Sequence, residues 1–171
     1  MWLEEPQPRW CSAGGGSPTR FKIVSAKSAD LDLLVEHRLS MWHELRPEFR
    51  AKIDRSRPYT RRWIKAKLAT GELIGFIART PDGKVAGSGC IWLRDEVPRP
   101  NNPLHVVPYL MSMYTVKDFR MQGVAKEIVK RAVKWSKAHH HDRVVLHASD
   151  YGRHLYEEVG FLPTHEMRLI L

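Results

Sequence analysis

Residues 113–125 read MYTVKDFRMQGVA and run from an apolar strand through a short polar turn into an amphipathic helix. The first amides of a helix lack intrahelical acceptors, and the helix dipole gives them a positive potential. A phosphate group fits such a helix start, and Arg120 and Lys126 add positive charge on either side of the turn. Gly123 lets a phosphate approach the backbone, and Ala125 keeps the next position small. On spacing alone, a helix that begins with glycine by chance is an equal alternative.

Other phosphate-binding motifs do not fit the sequence. No Gly-Lys-Ser/Thr follows the turn, which excludes a P-loop. The segment Gly87–Gly89 lacks the third glycine of a dinucleotide-binding fingerprint and lies in a predicted hairpin. The histidine run at residues 139–141 lacks the spacing of metal ligands, so no metal site is expected.

The elements around this stretch alternate between strands and helices, which predicts one α/β domain with helices covering a sheet. Residues 1–20, rich in proline and glycine, are expected to form a flexible N-terminal arm, and residues 21–171 the domain. A second helix, or a helix pair broken near Pro58, is predicted in residues 46–67. The strands are predicted at residues 21–24, 73–79, 85–93, 104–116, 143–148, 161 and 166–171, and the other helices at 28–45, 123–139 and just before Val159.

Composition places the chain among ordinary globular proteins. Its 171 residues are 43% hydrophobic and 27% charged, which suits a single domain. Two cysteines cannot form a disulfide framework, and the longest apolar run, Leu73–Ala78, is too short to cross a bilayer. The first residues do not read as a secretory signal, so a cytoplasmic location is expected.

The charge balance is unusually basic. A net charge of +9 favours anionic partners such as phosphorylated cofactors, nucleic acid or acidic substrates, without selecting among them. Residues 46–67 hold nine Lys or Arg and two acidic residues, and so carry most of the excess.

Two short motifs resemble the signatures of one family. Arg120-x-x-Gly123-x-Ala125 after an apolar strand is similar to the acyl-CoA signature of the GNAT superfamily of N-acetyltransferases, Arg/Gln-x-x-Gly-x-Gly/Ala. About forty residues later, residues 155–161, LYEEVGF, resemble the second signature of that superfamily. Two signatures in the expected order and distance are far more specific than either alone, and the resemblance covers roughly residues 21–171.

The resemblance implies a fold and a cofactor site. The expected fold is a mixed, mostly antiparallel sheet of six to seven strands, with a splayed central strand pair and about four flanking helices. Acetyl-CoA would be the co-substrate: its pantetheine arm would pair with an exposed strand edge, its diphosphate would bind the turn, and a bulge near Met113 would direct a backbone N–H to the thioester oxygen. The implied cofactor-binding residues are Met113, Tyr114 and Thr115 on the edge, Arg120, Met121, Gln122, Gly123, Val124, Ala125 and Lys126 in the turn, and Ser149.

The resemblance also implies a direct transfer of the acetyl group to an amine in a ternary complex. Tyr156 occupies the position of the general acid that protonates the departing thiolate. Ser149 stands seven residues earlier, where many members carry a cofactor-contacting asparagine, so its role transfers only weakly. The general base stays open among four residues: Glu96, His105, Tyr109 and His147.

The acceptor is expected to be a small-molecule or peptide amine. In the GNAT fold the first two helices usually line the acceptor pocket, so the positive charge of residues 46–67 would favour a neutral or anionic acceptor over a cationic polyamine. No nucleic-acid or membrane partner is expected, and a homodimer is left open. Two alternatives belong to other classes: an inactive CoA-binding sensor or interaction module, and a basic nucleic-acid-binding domain that uses residues 46–67.

Overall fold

The computed structural model describes residues 20–98 and 104–170, which divide into two compact units. The described part of the larger unit is residues 20–98 and 104–147, and that of the smaller unit is residues 148–170. The predicted N-terminal arm lies outside the described residues except for Arg20. Among the described helices, none combines the length and the apolar character that a membrane span requires.

A five-stranded sheet forms the centre of the larger unit, with its strands in sequence order. Neighbouring strands are antiparallel except for the last pair, which is parallel. This confirms the predicted mixed, mostly antiparallel sheet, although it has five strands in place of six or seven. The strands are β1 (Lys22–Ser25), β2 (Leu73–Arg79), β3 (Val85–Asp95), β4 (Val106–Thr115) and β5 (Val145–Leu146).

Three helices cover the two faces of this sheet: α1 (Leu31–Leu45), α2 (Arg50–Ala69) and α3 (Val124–Ala138). Helices α1 and α2 bury an apolar cluster against one face. Its members are Leu31, Leu34, Val35 and Leu39 of α1, Ile64 of α2, Leu73 and Ile77 of β2, and Cys90 of β3. Helix α3 packs on the other face, because a side chain at Gly87 or Gly89 would meet Val124 or Ile128. Alternation along β3 therefore directs Ser88 and Cys90 toward α1.

Helix α2 is one continuous helix with Pro58 inside it, so the first of the two predicted forms, a single second helix, is confirmed and the pair broken near Pro58 is not observed. Proline removes one helical hydrogen bond and crowds the preceding turn, which usually kinks or ends a helix. Here apolar residues on both sides of the proline, Ile53 before it and Trp63 and Ile64 after it, pack on the same cluster. That shared packing holds the two halves of α2 in line.

The described part of the smaller unit contains one helix, α4 (Asp150–Val159). Ser149 caps its start, and Gly160 ends it in the left-handed conformation, with φ of 98°. The predicted strands at residue 161 and at residues 166–171 are not observed in the described part, because residues 161–170 form no ladder. In the larger unit, the strand predicted at 143–148 shrinks to the two residues of β5. Strand-like composition alone does not form a ladder, because pairing also depends on which strand edges the folded chain brings alongside.

His37 is a buried polar side chain on the inner face of α1. It is 7% exposed, its Nδ1 lies 2.8 Å from Ser88 Oγ on β3, and its ring contacts that of Tyr114. Burial penalises the charged imidazole and lowers the pKa of His37 to about 4. The imidazole is therefore neutral at physiological pH.

This burial predicts acid-sensitive stability. Between pH 6.5 and pH 4 the unfolded chain protonates His37 and the folded chain does not, so the free energy of unfolding falls by about 1.4 kcal/mol per pH unit, about 3 kcal/mol in all. His37→Gln removes this contribution. Urea denaturation of both proteins at pH 7 and pH 4.5 measures it, and parallel loss of stability in the two proteins would contradict it.

Candidate active site

A β-bulge interrupts the ladder between β3 and β4. Two β4 residues, Ser112 and Met113, lie opposite the single residue Gly89 of β3. Ser112 adopts a φ of 54°, in the left-handed region that non-glycine residues seldom occupy. Bulges of this kind re-aim the backbone and are common next to active sites. The bulge thus lies where the sequence predicts one, near Met113.

Strand β4 separates from β5 directly before the bulge. The two strands pair only at Tyr109–Val145 and Leu110–Leu146, and β4 then continues to Thr115 without a ladder to β5. On its other side, the Val116 N–H donates to Ala86 O of β3 at 3.0 Å. Alternation along an antiparallel strand therefore directs the backbone groups of Met113 and Thr115 away from β3, toward the side that β5 has left. This is the splayed strand pair that the family resemblance implies.

The turn before α3 presents backbone amides at the end of the same strand. Met121 and Gly123 are both left-handed, with φ of 58° and 83°. Within residues 20–98 and 104–170, the backbone amides of residues 121–125 donate no well-formed backbone hydrogen bond, and the bonding begins with Glu127 N–H to Gly123 O. These amides stand at the positive end of the helix dipole, which is the arrangement that binds phosphate.

Arg120 is held by protein groups in this structure. Its guanidinium donates to both oxygens of Glu44 on α1, each at 2.7 Å, and its Nε donates to Thr115 O at 3.2 Å. Hydrogen bonding to Glu44 raises the pKa of Arg120. The carboxylate partly cancels the positive charge that the sequence places beside the turn, so the turn's attraction for an anion depends mainly on its amides.

Two predicted site residues, Ser149 and Tyr156, lie in the smaller unit. Ser149 Oγ accepts a hydrogen bond from Gly152 N–H at 3.3 Å, which leaves its hydroxyl proton to be donated elsewhere. The Tyr156 ring packs edge-on against Phe161, 5.8 Å between centroids, and close to Gly152. Gly152 is small enough to admit the ring, so α4 fixes the position of Tyr156 within its own unit. Their predicted roles toward the cofactor stay predictions.

The structure brings together two of the four candidate bases. Tyr109 Oη lies 2.6 Å from His147 Nδ1, beside the point where β4 and β5 separate. Glu96, in contrast, forms an ion pair with Arg143. His105, just before β4, is exposed. Geometry therefore favours the Tyr109–His147 pair for proton transfer near the separated strands.

Sequence reasoning missed one charged residue on the inner face of α1, Arg38. Its Nη1 donates to Ser112 Oγ in the bulge at 2.8 Å, and its guanidinium lies 6.0 Å from the Trp42 ring. The signal was present in the sequence, since Arg38 stands four residues after the buried Leu34 and four before Trp42. A charged residue inside the apolar stripe of a helix indicates a candidate functional residue, because such a stripe normally faces the core.

The basic residues of α2 are partly neutralised within the larger unit. Arg57 pairs with Glu36, and Arg61 Nε lies 2.7 Å from Asp32 Oδ1, so both acidic partners belong to α1. Lys67 pairs with Glu72. Exposed pairs like these contribute little stability, but they reduce the positive potential that a nucleic acid would meet.

Comparison with known proteins agrees with the fold. The model of the Acetyltransferase (GNAT) family matches residues 37–161, which is more than half of the chain. The search of curated proteins found no match to this chain. The sequence resemblance to this family is therefore confirmed.

Several solved structures are similar over most of the chain. A GCN5-related N-acetyltransferase from Ralstonia eutropha JMP134 is 24% identical, with a TM-score of 0.80 over 88% of this chain and 98% of its own. A predicted acetyltransferase from Clostridium acetobutylicum, solved with acetyl-CoA, is 25% identical, with a TM-score of 0.72 over 88% and 96%. A ribosomal-protein-alanine N-acetyltransferase from Brucella melitensis biovar Abortus 2308 is 19% identical, with a TM-score of 0.64 over 88% and 98%.

Proposed function

We propose that this chain, which belongs to the GNAT acetyltransferase family, is an N-acetyltransferase that moves an acetyl group from acetyl-CoA to an amine. The observation that carries the proposal is the combination of a bulged, separated strand with a helix start whose amides point outward. A thioester-bearing arm and a diphosphate need these two features side by side. Acetyl-CoA supplies the activated acetyl group, and the similar structure from Clostridium acetobutylicum was solved with it.

The chain's own groups divide the binding between them. The backbone of Met113, Tyr114 and Thr115 offers the strand edge, and the amides of residues 121–126 hold the diphosphate. Arg120 keeps this turn in place through Thr115 and Glu44. The bulge directs the Met113 N–H to the thioester oxygen, where negative charge develops as the amine attacks.

Two proton movements complete the transfer. An ammonium acceptor with a pKa of about 10 must lose a proton before it attacks, and the Tyr109–His147 pair is well placed to accept it. The departing thiolate must gain a proton, and the Tyr156 phenol supplies it. Ser149 contributes a hydroxyl donor toward the cofactor. Neither a covalent enzyme intermediate nor a metal takes part in this scheme.

The two alternatives differ from this proposal in what they require. An inactive CoA-binding sensor would bind acetyl-CoA and transfer nothing. A nucleic-acid-binding domain would use residues 46–67, four of whose cations, Arg46, Arg57, Arg61 and Lys67, pair with acidic side chains of the same unit. The cytoplasmic location and the homodimer stay predictions.

The diphosphate site predicts that Gly123→Ala weakens acetyl-CoA binding at least tenfold. Alanine disfavours a φ of 83° by about 1–2 kcal/mol, and its methyl group meets no protein atom within 4 Å, so it projects into the space for the phosphate. Gly83→Ala is the matched control, since Gly83 has a φ of 85°, open surroundings and a place in the β2–β3 turn.

Thermal unfolding of both variants measures the loss of stability from backbone strain, and calorimetry measures their affinity for acetyl-CoA. We expect both variants to lose a similar amount of stability, and only Gly123→Ala to lose affinity for acetyl-CoA. Equal acetyl-CoA affinity in the two variants would refute the diphosphate site.

The acid role predicts that Tyr156→Phe lowers kcat by about 10²–10⁴-fold and leaves the acetyl-CoA dissociation constant within twofold. Tyr151→Phe on the same helix is the control, because Tyr151 is 94% exposed. Release of free thiol with an amine panel measures the rate. Full activity of Tyr156→Phe would remove the tyrosine from the mechanism, and acetyl-CoA binding without turnover by the unaltered protein would favour the sensor.

A further inference from the structure

Arg38 is a cation on a helix face that otherwise buries apolar side chains. Its neighbours on α1 are the buried Leu34 and Leu39 and the exposed Trp42. The guanidinium reaches across to β4 and donates one hydrogen bond, from Nη1 to Ser112 Oγ at 2.8 Å. An arginine has five N–H donors, so most of its hydrogen-bonding capacity is not used by Ser112.

No carboxylate of residues 20–98 or 104–170 lies within ion-pair distance of Arg38. Its neighbour Cys90 supplies no counter-charge, because burial raises the pKa of that thiol to about 12. Other partly buried arginines differ in this respect: Arg79 pairs with Asp30 and Arg143 pairs with Glu96. A half-buried cation without a counter-ion is costly, and burial lowers the pKa of Arg38 accordingly.

A second cation lies near the same place. The Arg94 guanidinium is 5.2 Å from the centre of the Tyr109 ring, and Tyr109 is close enough to Arg38 to interact with its charge. Trp42 and Tyr109 therefore border the space around Arg38 with aromatic rings. Apolar walls with a convergent charged group are typical of a small-molecule site.

The position of Arg38 separates it from the site assigned to the diphosphate. Helix α1 lies on the face of the sheet toward which Ser88 and Cys90 point, and α3 with its outward amides lies on the opposite face. Ser112, the partner of Arg38, directly precedes Met113 in the bulge. Arg38 is thus adjacent to the proposed point of acyl transfer but on the α1 side of the sheet.

We propose that Arg38 binds an oxyanion of the acceptor, so that the substrate is an amine that also carries a carboxylate or a phosphate. The inference rests on the acetyltransferase function proposed above. A planar guanidinium donates two parallel hydrogen bonds to either kind of group, which a lysine cannot match. Ser112 holds the guanidinium beside the bulge, which keeps the acceptor's anionic end within a short distance of the thioester.

Matched acceptor pairs test this substrate class. β-Alanine and β-alaninamide differ in a carboxylate, and O-phosphoethanolamine and ethanolamine differ in a phosphate. We expect kcat/KM to favour the anionic member of at least one pair by tenfold or more. Arg38→Gln should lower kcat/KM for that member at least tenfold, with less than threefold change for its neutral partner and a KM for acetyl-CoA within twofold.

Two control variants distinguish anion binding by Arg38 from a purely structural role in which Arg38 only stabilises the bulge. Arg94→Gln removes the nearby cation and should preserve most of the anionic preference. Ser112→Ala removes the hydrogen bond that Arg38 makes with β4 but retains the guanidinium. If Arg38 only fixes the bulge, Arg38→Gln and Ser112→Ala will lower kcat equally for both members of every pair, and that result would overturn the proposal.

A binding measurement keeps the inference testable if none of these amines is acetylated. The Nε–Hε signal of Arg38 in the full-length, nitrogen-15-labelled protein should shift on titration with O-phosphoethanolamine or β-alanine and not with the neutral partners. No movement of this signal with either anion at about 50 mM, roughly the weak limit for one charge-assisted contact, would refute the anion site. Absence of acetyl-CoA binding would instead refute the proposed function and leave this measurement valid.

Discussion

The site depends on the loss of strand pairing between β4 and β5. Sheet hydrogen bonds normally satisfy every backbone group of an inner strand, and a strand without a neighbour exposes a row of donors and acceptors. In this protein the pairing stops after Leu110, and the bulge at Ser112–Met113 then turns the freed backbone. An unpaired edge is a liability in most proteins, and here it becomes a surface that an extended ligand can complete.

Strand β3 makes the bulge possible because its residues alternate between very small and polar. A side chain at Gly87 would lie 2.6 Å from the carbonyl oxygen of Tyr114, so only glycine allows β4 and α3 to come this close. Ser88, between Gly87 and Gly89, faces α1 and bonds the neutral His37. The segment Gly87–Gly89, which does not match a dinucleotide-binding fingerprint, thus allows β4 and α3 to pack closely against β3.

Much of this arrangement could be predicted from the sequence. The strand–turn–helix pattern around Gly123 is local, and the left-handed φ of that glycine is the kind of demand that residue type reveals. The bulge near Met113 came from the family resemblance and not from periodicity. The sequence left the effect of Pro58 open, because the tertiary packing on both sides of the proline that favours one continuous helix is not visible in a local pattern.

The rest depends on contacts between residues far apart in the chain. Nothing local indicates that Glu44 binds Arg120, that Tyr109 meets His147, or that the charge of Arg38 lacks a carboxylate partner in the described residues. Strand count was overestimated for the same reason, since residues 161–170 have suitable side chains but form no ladder. Pattern identifies what a segment can form, and only the assembled sheet determines whether a partner is present.

The most direct test of the central claim is a titration of the nitrogen-15-labelled protein with coenzyme A, followed through its backbone amide signals. The claim is that the turn before α3 and the bulged edge of β4 together bind the diphosphate and the arm of the cofactor. It predicts saturable shifts for Met113 and for the amides of residues 121–125, with little change in the β2–β3 turn at Gly83. Shifts confined to other parts of the chain, or none at saturating coenzyme A, would contradict it.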